Sequence, residues 1–110
     1  MEYHFEQIDD VLKVSLEGRL VAVYSETFKE AVVNRMADCK NVVFDLTGMT
    51  HIDSSGLGAQ VFLLQKATAV GGAVKLACLQ PRPKIVFDIT KVFRVFEIFD
   101  TVEAAIASFK

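Results

Sequence analysis

The sequence predicts a single α/β domain with a mixed β-sheet, and three observations carry that prediction. From residue 40 onward, short apolar runs alternate with segments of helical period. Such alternation generates strand–helix–strand crossovers and parallel strand pairs. Before that point, period-two alternation broken by the acidic pair Asp9 and Asp10 marks an antiparallel hairpin. Finally, 110 residues with 52% apolar and 24% charged composition, two prolines and no biased tract suit one folded domain, residues 1–110.

The elements follow in chain order. After Asp9 and Asp10 come Val11, Leu12, Val14 and Leu16, and Gly18 closes the run, so an N-terminal hairpin at the sheet edge is expected. From Ser25 the period changes. Phe28, Ala31, Val32 and Met36 recur at spacings of three and four, while Lys29, Glu30 and Arg35 face elsewhere, which predicts an amphipathic helix. Thr27 and Glu30 have capping-box spacing, and Ser25 competes as the cap. The run NVVFDLT then packs Val42, Val43, Phe44 and Leu46 into seven residues, a strand buried on both faces, and GMTHID is read as a loop.

A second helix is predicted from about Ser54 to Val70, with Leu57, Val61, Leu64 and Ala67 on one stripe and Phe62 and Leu63 beside it. Gly71 and Gly72 stop it. AVKLACL is the next strand and QPRPKIVFDITK the next helix, with Pro81 at its first position and Pro83 in its first turn, where missing N–H groups cost nothing. Val95, Phe96 and Ile98 are read as a last strand. DTVEAAIASF follows as a helix, with Asp100 and Glu103 at capping-box spacing and Val102, Ala105, Ile106 and Phe109 on its apolar stripe. The predicted order is ββαβαβαβα, with the helices packed on the sheet.

Charge narrows the function. Twelve basic and 14 acidic residues give a formal net charge of -2, and no lysine or arginine run occurs, which disfavours binding to nucleic-acid phosphates. No apolar stretch approaches the ~20 residues that span a bilayer. The N-terminal MEYHFEQIDD is polar and acidic rather than signal-like, so a cytoplasmic protein is expected. Cys39 and Cys78 lack a second Cys or a His at metal-ligand spacing and read as reduced thiols, Cys78 packing as a small hydrophobe.

The stretch HIDSSGLGAQ, residues 51–60, stands out because two of the six glycines sit in the first turns of a helix, where each costs about 0.8–1 kcal/mol relative to alanine. A nucleophile elbow needs glycine two residues before and two after its serine, and neither Ser54 nor Ser55 has that pattern. The candidate bases are His4, in the first strand, and His51, too near in sequence for a triad position. No GxxxxGK[ST] or GxGxxG fingerprint is present. An enzyme is not expected, and neither a metal nor a cofactor is implied.

As a helix start, the same stretch makes sense. Four N–H groups lack intrahelical partners there and the helix macrodipole is positive, and Asp53 or Ser54 can cap them. Gly56 and Gly58 leave the end free of side-chain bulk, so another protein's backbone or a nucleotide can come close. A phosphate added to a serine there meets free N–H groups and a favourable dipole.

With LEGRL, NVVFDLTGMTHID, DSSGLG, QPRPKIVFDITKVFRVFEIFD and DTVEAAIASF in order, the chain resembles the STAS-domain anti-sigma-factor antagonists of bacteria over nearly its whole length. DSSGLG after an apolar strand is the specific element; the others fix register and order. The resemblance implies a STAS-like fold and a protein that binds an anti-sigma factor with serine-kinase activity, freeing a sigma factor. Phosphorylation of the first motif serine, here Ser54, switches it off, and a phosphatase reverses this. ATP and magnesium enter only as the partner kinase's substrates. The implied partner-binding residues are Asp53, Ser54, Ser55, Gly56, Leu57 and Gly58; Ser55 is an alternative acceptor or a helix-start hydrogen bonder, and Leu57 is core. Val21 stands where phosphorylated antagonists usually carry an aspartate. Valine supplies no hydrogen-bond acceptor for orienting a kinase's nucleotide, a departure that bears on phosphorylation and leaves the fold untouched. The alternative is a STAS interaction or ligand-sensing subunit of a transport or signalling complex without kinase control.

Overall fold

Asp9 adopts a left-handed φ of 53°, a conformation aspartate tolerates, and turns β1 (Glu2–Ile8) back onto β2 (Val11–Leu20). The computed structural model describes residues 1–110. After the hairpin come α1 (Ala22–Met36), β3 (Asn41–Ile52), α2 (Ser54–Ala69), β4 (Ala73–Ala77), α3 (Pro81–Thr90), β5 (Ile98–Phe99) and α4 (Val102–Ala107), the predicted order. The sheet order is β1-β2-β3-β4-β5, with β1 antiparallel to β2 and the other pairs parallel.

Successive side chains of a strand point to opposite faces, and β3 is buried on both. Val42, Phe44 and Leu46 join Phe28 and Val32 of α1 and Leu57 and Leu63 of α2 in the main core. Val43 faces the other way and packs with Val11, Ala77 and Ala105 of α4. Helices therefore cover both faces around the central strand. Phe87 of α3 closes the main core by meeting the Phe96 ring edge-on at 6.5 Å.

Several boundaries differ from the sequence reading, each for a physical reason. GMTHID is strand, not loop: β3 carries one residue more than β2 between the pairs Ser15–Asp45 and Glu17–Gly48, and again between Gly18–Met49 and Arg19–His51, and these bulges bring Gly48, Met49, His51 and Ile52 opposite Glu17, Gly18, Arg19 and Leu20. AVKLACL ends as strand at Ala77, because Cys78 turns to a φ of 62°. Val95 and Phe96 are not strand, since a 3₁₀ turn over Val92–Arg94 precedes them and pairing with β4 resumes only where Leu76 N–H donates to Glu97 O. Asp100 does not cap α4; Thr101 does, its Oγ1 accepting the Ala104 N–H at 3.1 Å.

The stop of α2 follows expectation in detail. Gly71 takes a φ of 82°, and the N–H groups of Gly71 and Gly72 donate to Thr68 O and Ala67 O, a Schellman motif. Cys39 is buried and Cys78 half-buried at the edge of the smaller core, and both are free thiols.

Candidate functional site

Because β2, β3 and β4 run parallel and each is followed by a helix, α1, α2 and α3 all begin at one end of the sheet. HIDSSGLG lies at that end. Asp53, extended in backbone, is the N-cap of α2: its Oδ1 accepts the Gly56 N–H at 2.9 Å, and its carbonyl accepts the Leu57 N–H.

The second oxygen of Asp53 does something the sequence did not disclose. Oδ2 accepts the N–H of Ala22, the first residue of α1, at 3.0 Å. Helix α1 thus starts earlier than Ser25, with Val21 as its N-cap residue and no cap from its own side chains. Neither Ser25 nor Thr27 caps it. Ser25 is buried and donates its hydroxyl back to Val21 O at 2.9 Å. One carboxylate therefore joins two helix starts, and it does so at the residue next to Val21.

The glycines divide. Gly56 is buried, and a Cβ there would collide with the Leu20 carbonyl oxygen and the Ile52 and Leu20 side chains. Its lack of a side chain serves the close approach of α2 to the end of β2 within the fold, rather than clearance for another molecule. At Gly58 a Cβ would meet nothing within 4 Å. That position is open to an approaching surface.

Ser54 and Ser55 are exposed and their hydroxyls make no hydrogen bond within the protein, whereas Leu57 is core. Ser54, Gly58 and Phe62, four residues apart, align on one exposed ridge of α2. Phe62 was placed beside the apolar stripe by sequence; it is 41% exposed, with Lys29 Nζ 4.6 Å from its ring centre.

His51 does not approach either serine by hydrogen bond. Its Nδ1 lies 2.9 Å from Thr50 Oγ1 and its Nε2 3.0 Å from an Arg82 guanidinium nitrogen. Arg82 was absent from the sequence-level site. Its only cue is a cation held between two prolines at a helix start, where cations are disfavoured. His4 lies elsewhere, on the edge strand β1, close to Glu2 and Glu17.

No helix is long and apolar enough to cross a membrane.

Comparison with known proteins adds the family. Residues 2–105 match the model described as the STAS domain. BtrV of Bordetella bronchiseptica, named as an anti-sigma factor antagonist, is 30% identical over 112 residues, which cover all of this chain and 96% of that protein. The crystal structure of tm1081 from Thermotoga maritima, described in the same terms, superposes with a TM-score of 0.91 at 23% identity, over 96% of this chain and 92% of that one. The anti-sigma factor antagonist SpoIIAA in its unphosphorylated form gives 0.86 at 19% identity, over 98% and 96%. At such identities these structures establish the fold alone. The same fold also occurs inside larger proteins: the murine anion transporter Slc26a9 matches with a TM-score of 0.79 at 18% identity, over 93% of this chain but 18% of that one.

Proposed function

The chain belongs to the STAS-domain family of anti-sigma-factor antagonists, and from that membership we propose that it binds a serine-kinase anti-sigma factor through the Asp53 to Gly58 surface, releasing a sigma factor, and that phosphorylation of Ser54 switches it off. In this reading the protein is a ligand and a substrate in the cytoplasm, not a catalyst. ATP and magnesium belong to the kinase, and a phosphatase resets the switch.

The observation that carries the reading is the placement of Ser54. Its hydroxyl is exposed and unbonded at the start of a 16-residue helix, next to a carboxylate already committed to the N–H groups of Ala22 and Gly56. A phosphate there adds about 1.5 to 2 negative charges. Inside an interface those charges must be desolvated and must face any partner acids, and each 1.4 kcal/mol of penalty weakens binding tenfold. A penalty of about 4 kcal/mol switches affinity roughly a thousandfold. The hydroxyl points to solvent, so the fold need not change. Leu57 and Gly56 contribute by shaping the first turn from beneath; Ser54, Ser55 and Gly58 offer the accessible surface.

Intact-mass spectrometry after incubation with the cognate kinase, ATP and magnesium tests the modification. One added phosphate, lost in Ser54→Ala and retained in Ser55→Ala, is the expected result; no addition sinks the phosphorylation claim. Since the fold also forms part of an anion transporter, the second reading is an interaction or ligand-sensing subunit without kinase control. An unmodified chain that co-purifies with a transport or signalling protein would favour it.

A further inference from the structure

Charge is not evenly spread over the end of the domain that carries Ser54. Arg19 and His51 are register partners on the parallel β2–β3 ladder, so their side chains stand side by side on one sheet face. Arg82 reaches the same place from the first turn of α3, its guanidinium 3.0 Å from His51 Nε2.

The hydrogen-bond network fixes how the imidazole is used. Thr50 has one hydroxyl proton and gives it to Gly18 O at 3.1 Å, so Thr50 Oγ1 can only accept from His51 Nδ1–H. His51 Nε2 is then the acceptor for Arg82. A neutral partner orients Arg82 without cancelling its charge.

No carboxylate cancels it either. The five ion pairs of the chain are all made by lysines, which leaves Arg19 and Arg82 exposed with no acid within 4.0 Å. A cation in a helix's first turn is opposed by the helix macrodipole, by about 0.3–1 kcal/mol. Helices α1, α2 and α3 also carry no acidic residue in their first turns. In a chain of net charge -2, an exposed and unbalanced pair of arginines, of which Arg82 works against its own helix, calls for an external anion.

We propose that Arg19 and Arg82, the latter oriented by His51, dock an acidic segment of the protein partner. The proposal rests on the reading of Asp53 to Gly58 as the partner-binding surface and extends that surface onto the end of β2 and the start of α3. Arginine suits the role because its planar fork pairs with carboxylates in a fixed geometry. The contact is of the kind that steers association and selects among partners.

The test is the affinity of the kinase-type anti-sigma factor for the full chain and for Arg19→Gln, Arg82→Gln and Arg82→Glu, measured at about 0.05 M and 0.5 M salt, where screening lengths differ severalfold. Lys110→Gln is the control, since Lys110 pairs with Asp9 at the β1–β2 turn, the opposite end of β2. The neutral variants are expected to weaken binding by about three- to tenfold at low salt and Arg82→Glu by more than about tenfold. The losses should shrink at high salt and Lys110→Gln should bind normally. If Arg82→Glu binds as tightly as the unaltered chain, or if its loss is the same at both salts, the docking role is overturned while the partner reading stands. An unaltered chain that does not bind at all overturns both.

Discussion

Asp53 and Ala22 lie 31 residues apart in sequence, yet the Asp53 carboxylate accepts the Ala22 N–H at 3.0 Å while holding the Gly56 N–H at 2.9 Å. The residue before the proposed phosphoacceptor is thus the shared cap of two helices. Val21, the N-cap residue of α1, has no side-chain acceptor, and the start of α1 draws its acceptor from the neighbouring strand end.

The shared cap sets the stability cost of changing Asp53. Loss of one cap costs typically about 1 kcal/mol, so Asp53→Ala should destabilise by about 2 kcal/mol. Asp53→Asn keeps one acceptor oxygen and should fall between. Urea unfolding followed by circular dichroism checks both. An alanine variant as stable as the parent would show that the double cap contributes nothing to stability.

The two glycines of the motif should respond with opposite sign. Alanine at position 56 meets the Leu20 carbonyl, an obstacle of backbone that cannot swing away, and overpacking of this kind costs typically about 1–3 kcal/mol. Alanine at position 58 meets open space and gains helix propensity, about 0.8–1 kcal/mol in favour. If close approach of the partner uses Gly58, the stabilised Gly58→Ala should nevertheless bind the anti-sigma factor more weakly. Melting curves and binding isotherms on the same pair of variants separate the two roles.

Lys75 fastens the C-terminal helix to the sheet. Its ammonium is 2.8 Å from Ser108 Oγ, 3.4 Å from Glu97 and 4.2 Å from the centre of the Phe109 ring, and the residue is buried. Lys75→Met keeps most of the stem and removes the charged head. It should cost about 1.5–3 kcal/mol, the value of a hydrogen bond to a charged group, and raise amide exchange over residues 102–109 before the rest of the domain. Uniform exchange would argue against a local fastening.

What the sequence revealed, and what it hid, divides by distance along the chain. Phe28, Val32 and Met36 announced α1 by their spacing, and Val42, Val43, Phe44 and Leu46 announced a two-sided strand, because periodicity is local. The start of α1 was hidden because its cap arrives from Asp53. The full length of β3 was hidden because the strand carries two extra residues relative to β2, one of them Thr50 within GMTHID, and such bulges are defined only against the partner strand. Ser54 was legible as an exposed helix start from DSSGLG alone. Arg82 was not, since only the fold brings it from α3 to His51. Gly56 shows the converse: its presence was conspicuous, and its reason lay in the backbone of Leu20, on another strand.

In the proposed switch, a phosphate on Ser54 controls a binding surface without rebuilding the domain. The most direct measurement compares the affinity of the kinase-type anti-sigma factor for the unmodified chain and for the chain stoichiometrically phosphorylated at Ser54, with circular dichroism recorded on both. Tight binding by the first, binding weaker by roughly a thousandfold in the second, and superimposable spectra are expected. Equal affinities, or a loss of affinity accompanied by a loss of structure, would contradict the switch.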